Sequence, residues 1–126
     1  MQAHWAKYLC VLCAGFIENA LGELYVEYVG VRSAPPVANY AIASLRKIQN
    51  PKSQRFIEVA GAFDRTWAQD LKDYLEQENR TDAIDSIMNN RHQIAHGKHS
   101  GVTIIQLRQW FDKALEVIEF IELQTK

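Results

Sequence analysis

The chain has 126 residues, a formal net charge of −1, 48% hydrophobic and 23% charged residues. That balance excludes disorder and predicts a single domain, 1–126, able to bury a core without metal or disulfide support. Near-neutral charge also excludes a generally basic nucleic-acid coat, so any nucleic-acid contact has to be local and shaped.

From about Ala3 to Val29 the pattern predicts a long first helix. Trp5, Leu9, Leu12, Phe16, Ala20, Leu24 and Tyr28 recur every three or four positions and are expected to form its buried stripe. Cys13, Ile17 and Leu21 widen that stripe. The apolar run Tyr8–Ile17, with Lys7 before it, has the shape of a signal peptide but about half the length of a membrane span. The helical pattern continues through Glu18, Glu23 and Glu27 with no small-residue cleavage site. The expectation is therefore a mature, soluble, cytoplasmic chain with no membrane contact. Cys10 and Cys13 have CxxC spacing, yet no strand or βαβ pattern precedes them, and two small buried helix residues fit better.

Gly30 and the turn Ser33-Ala34-Pro35-Pro36 are expected to end the first helix. A second runs from about Pro36 to Gln49, with Tyr40, Leu45 and Ile48 in the core. Asn50-Pro51 reads as a cap followed by a first-turn proline, opening a short helix with Phe56, Ile57 and Ala60 that ends near Gly61. Asp64 is expected to cap a fourth helix with Trp67, Leu71, Tyr74 and Leu75 on one face. Asn79 closes it, and Thr81 caps a fifth that carries Ile84, Ile87 and Met88. Thr103 and Gln106 form a capping box with Val102 stapled onto Leu107. The last helix repeats apolar residues at Ile104, Leu107, Phe111, Ala114, Ile118 and Ile121. No strand pattern, phosphate-binding glycine loop or repeat interrupts this layout, which predicts an all-α, up-and-down bundle of about five to six helices.

Three of the four histidines fall between Asn89 and His99, with Arg91 and Lys98 among them. Arg91 follows Ile87 by four and Ile84 by seven, so it lies on the stripe that should be apolar. An arginine there is costly unless it is paired, faces a partner chain or lines a cleft. His96 follows by five, about 140° around an ideal helix, but Gly97 predicts that the helix ends at His96, where the geometry relaxes. Asn89, His92 and His96 share a face.

Three readings fit these residues. A structural one uses basic residues at a helix C-terminus, glycine at C′, and an ion pair between Arg91 and one of fifteen acidic residues. A metal reading uses His92 and His96, four apart, but lacks a Glu beside His92 in an HExxH arrangement. A site reading treats Arg91 and His96 as functional groups. Nothing pairs a serine or cysteine nucleophile with a base.

Arg91-His92-Gln93-Ile94-Ala95-His96 resembles the R-x4-H motif of HEPN domains, small all-helical proteins of prokaryotic defence and toxin systems. A polar residue after the arginine, a late position and a final helix beyond it all fit that family. Asn50-Pro51-Lys52 is similar to the RiboL-PSP-HEPN subgroup. The resemblance implies an endoribonuclease, independent of metal and of cofactor, that works as a homodimer with two motifs facing each other. RNA carries its own nucleophile in the 2′-OH, so no covalent residue is needed. His96 would move the proton, histidine being the side chain whose proton is exchanged near neutrality. Arg91 would hold the scissile phosphate in a fork. Products would carry 2′,3′-cyclic phosphate and 5′-hydroxyl ends. Asn89 and His92 would support the site, and Lys98 and His99 would hold the RNA backbone.

The resemblance also implies a toxin or an antiviral or stress-defence effector, with an antitoxin or defence protein as partner. HEPN toxins modified by a minimal nucleotidyltransferase carry a tyrosine two residues after the motif histidine. Lys98 stands there, so that route is not implied. Some HEPN domains are non-catalytic dimerisation or partner-binding modules, usually with a degraded motif; this motif is intact.

Overall fold

Three- and four-residue apolar spacing becomes helix throughout. The computed structural model describes residues 2–126, and the described residues contain no strand. The elements are α1 (Gln2–Arg32), α2 (Pro35–Leu45), α3 (Ser53–Phe63), α4 (Arg65–Leu75), α5 (Arg80–Ala95) and α6 (Ile104–Gln124). α1 packs against α2, α5 and α6, while α3 and α4 form a hairpin that closes on α5 and α6. The expected all-α bundle is what the chain forms.

The buried face of α1 differs from the expected stripe. Ala6, Cys10, Ala14, Ile17, Leu21, Tyr25 and Val29 point into the core, whereas Trp5, Leu12 and Phe16 are 56%, 51% and 50% exposed. Apolar residues surround the first half of α1, so periodicity alone does not choose its side. Packing does: Cys10 is set against α5, its Sγ 3.6 Å from the Ile87 carbonyl oxygen, to which it donates. Burial, and then Cys13, push the Cys10 thiol up to about 11, with nearby Arg91 pulling the other way. Burial also raises Cys13. Both cysteines are free thiols, and their shifts are those of packing groups rather than a redox pair. By length and composition α1 could cross a membrane, with a window of mean hydropathy 1.5 that is only 28% buried. Trp5, Tyr8, Val11, Leu12 and Phe16 are large apolar side chains that its first half leaves exposed.

Other boundaries move for local reasons. α1 runs through Gly30 to Arg32, and α2 stops at Leu45 with Tyr40 exposed and Leu45 and Ile48 buried. α3 starts at Ser53 rather than Pro51, because Asn50 takes a left-handed φ of 45° while its N–H donates to Glu18 Oε1. Asp64 caps α4 as expected, accepting from Thr66 N at 2.8 Å. Asn79, φ 61°, is itself the residue before α5, so Thr81 lies within the first turn and donates to the Leu75 carbonyl.

The cause of that shift is Arg80, which is buried and must find partners. It pairs with Glu78 at 2.8 Å and Glu116 at 3.1 Å, donates to the Tyr74 carbonyl and lies 3.7 Å over the Tyr74 ring. The Thr103–Gln106 capping box forms as predicted. Leu107, Ala114, Ile118 and Ile121 of α6 are buried, and Val117 joins them.

Candidate functional site

The motif closes α5. His96 is the C-cap and Gly97, φ 67°, follows in the left-handed conformation. The Lys98 N–H donates to the Gln93 carbonyl at 2.8 Å and the Gly97 N–H to Ile94 at 3.2 Å. These are the two bonds of a Schellman turn, with Gly97 at C′ and Lys98 at C″. The turn puts His96 and Lys98 at an exposed helix end.

Two residues that the sequence did not single out hold the following loop. Asn90 Nδ2 donates to the Ser86 carbonyl at 2.8 Å, and the buried Ser100 donates its hydroxyl to Asn90 Oδ1 at 2.7 Å. An asparagine inside a helix competes for backbone partners. That was the available signal; its partner ten residues on was not.

His92 and His96 come together, ring centroids 4.3 Å apart and tilted by 55°. Both are exposed, as is Asn89 on the same face. Partial loss of water contact, then the positive charges of His96, Lys98, Lys52 and Arg91 in that order, hold the His92 imidazole below its usual range. The charged groups acting on it are all cationic, in a chain of net charge −1.

Arg91, one residue before His92, stands about 100° from it around the helix. It is half-buried, close enough to Cys10 to act on its thiol, and joined by no ion pair or side-chain hydrogen bond among the described residues. The ion pair of the structural reading does not form. His99 lies past the turn, exposed, and its Nε2 sits 3.8 Å from where a Cβ on Gly101 would be, so it faces the loop. Among the described residues no three of His, Cys, Asp and Glu gather as a metal site would require.

A further anchor reaches the site from α3. Ser53 N and Oγ donate to the two Asp85 carboxylate oxygens at 2.8 and 3.1 Å. Asp85, Asn89, His92 and His96 follow one another at spacings of four, three and four along one face of α5. The bond pair therefore fixes the start of α3 against the face that carries the histidines.

Chemically, the arrangement offers a guanidinium without a carboxylate, a pair of exposed imidazoles and two lysines, which suits an anion carrying a transferable proton. Neither a curated protein nor a solved structure matches the chain. The RiboL-PSP-HEPN family model matches residues 2–126, and the chain accordingly belongs to the RiboL-PSP-HEPN family.

Proposed function

We propose that the chain is a metal-independent endoribonuclease acting as a homodimer, in the role of a toxin or an antiviral or stress-defence effector. The observation that carries this reading is Arg91, half-buried with no acidic partner beside an exposed histidine pair. A guanidinium with no carboxylate beside it is open to an anionic ligand.

In this reading Arg91 grips the scissile phosphate and stabilises the charge that grows on it. His96 takes the 2′-OH proton as the 2′-oxygen attacks phosphorus. The P–O5′ bond then breaks, the departing 5′-oxygen takes up a proton, and a 2′,3′-cyclic phosphate remains. In a dimer, His96 of the partner subunit supplies that second proton. His92 and Asn89 support the phosphate, while Lys98 and His99 hold flanking backbone.

The self-association is supported by α1. Trp5, Tyr8, Leu12 and Phe16 form an exposed stripe opposite the core face. Phe16 meets Phe111 of α6 edge-on at 5.8 Å, and Ile104, two turns before Phe111, is also exposed. Aromatic and aliphatic surface of this kind marks an interface. A second copy seated on this stripe is the homodimer of this reading. The free thiols suit a reducing cytoplasm, and an antitoxin or defence protein would be the regulatory partner.

The test is cleavage of a mixed RNA pool in EDTA, wild type beside His96→Ala and Arg91→Ala. Cleavage by wild type alone, leaving cyclic-phosphate ends, is the expected result. Equal cleavage by all three sinks the reading. Folded wild type that cuts no RNA would instead assign a non-catalytic dimerisation or partner-binding module, which the α1 stripe equally suits.

A further inference from the structure

Lys52 belongs to neither the motif nor α5, yet the fold delivers it to the site. It precedes Ser53, whose backbone N–H and hydroxyl are both bound to Asp85. Asp85 stands two turns before His92, about 10 Å along the axis, and side chains on a helix lean toward its N-terminus. His92 therefore leans back toward the start of α3, and a lysine stem of about 6 Å covers much of the remainder. Lys52 is exposed and takes part in no ion pair among the described residues. Of the two carboxylates on this face, Asp82 stands nearly three turns before His92, and Asp85 has both oxygens engaged by α3. Lys98, fixed by the Schellman turn, stands beyond His96 at the other end.

We propose that Lys52 is a backbone-phosphate contact of the RNA site, so that a single strand laid along α5 meets Lys52, then the His92–His96 pair, then Lys98. The inference rests on the ribonuclease reading and adds to it a second element: the site is built from α5 and the start of α3. The charges acting on His92 agree, since Lys52 is among them although forty residues away in sequence. The Asp85–Ser53 pair is then the positioning device. Phosphate contact by a lysine is independent of base identity, so Lys52 contributes grip rather than sequence preference.

The experiment measures binding separately from cleavage, with full-length protein and short single-stranded oligonucleotides carrying 2′-deoxy sugars, which bind but are not cut. Lys52→Ala is expected to weaken oligonucleotides of different sequence by a common factor, on the order of fivefold at low salt. The slope of log K against log salt should fall by about 0.7, the value for one phosphate contact on a single strand. Lys52→Arg should restore both. In the absence of nucleic acid, Lys52→Ala should raise the His92 titration midpoint followed by NMR. Unchanged affinity, slope and His92 midpoint in Lys52→Ala, while Lys98→Ala weakens binding, overturns the proposal and leaves the ribonuclease reading standing. Wild type that binds no oligonucleotide and cuts no RNA overturns both.

Discussion

Ser53 and Asp85 are thirty-two residues apart and joined twice, through backbone N–H and hydroxyl, at 2.8 and 3.1 Å. The carboxylate serves as the cap that Lys52, the residue before α3, does not supply from its own side chain. A single residue of α5 therefore both starts α3 and orients it toward the motif. Asp85→Ala should destabilise the protein by about 1–3 kcal/mol, the range for a lost cap and an orphaned donor. Ser53→Ala removes only the hydroxyl bond and should cost about 1 kcal/mol. Urea unfolding of both variants checks the order, and a larger loss in Ser53→Ala would contradict it.

Arg80 is the bolt at the opposite end of α5. Its side chain is 7% exposed, whereas its partners Glu78 and Glu116 are 63% and 39% exposed. Removing the arginine leaves two carboxylates that water can reach, so the penalty for stranded charge is small. What is lost is the fork of bonds and the stacking on Tyr74. Arg80→Ala should destabilise by about 2 kcal/mol, below the 3–5 kcal/mol of a fully buried pair. Thermal unfolding provides the reading, and an unchanged midpoint would mean that the cluster is surface decoration.

Gly97 has a φ of 67°, and no neighbouring atom lies within 4 Å of the place a Cβ would take. The cost of Gly97→Ala is thus backbone strain alone, about 1 kcal/mol. Asparagine tolerates the left-handed region better, so Gly97→Asn should fall between alanine and wild type. Equal melting temperatures for all three would show that the Schellman turn is not held in solution.

His92 reports the charge of the site. Its proton is disfavoured in the folded chain, so the unfolded chain holds that proton to higher pH. Stability therefore falls as pH drops through the window from the ordinary histidine value to the lower folded value, and no further below it. A bound polyanion offsets Lys52, Arg91 and Lys98, so 2′-deoxy oligonucleotide should move the His92 midpoint upward. A midpoint that stays in place at saturation would put the anion elsewhere.

The α1 stripe predicts its own disruption. Leu12 is 51% exposed and Phe16 50%, and a charge placed there costs the monomer little. If the proposed homodimer pairs through this stripe, Leu12→Glu should shift the protein to monomer at micromolar concentration, by light scattering, and reduce the proposed RNA cleavage without changing helical content by circular dichroism. Full activity in a demonstrated monomer would separate the stripe from the site.

The chain by itself determined the helical class, the cap at Asp64, the Thr103–Gln106 capping box and the helix stop at Gly97. Each is a local matter of spacing, side-chain bonds to nearby backbone, or a φ that glycine adopts freely. It also marked Arg91 as misplaced on an apolar stripe, since period and hydrophobicity are enough to see that. Tertiary structure decided what depends on distant partners. Which side of α1 is buried turned on the helices that close on it, with Cys10 set against Ile87 of α5, and no period contains that. The start of α3 and the place of Lys52 depended on Asp85, the first turn of α5 on buried Arg80, and the loop after the motif on Ser100 reaching Asn90. Hydrogen bonds and charges act through space, and residues thirty or forty positions apart become neighbours only when the bundle closes.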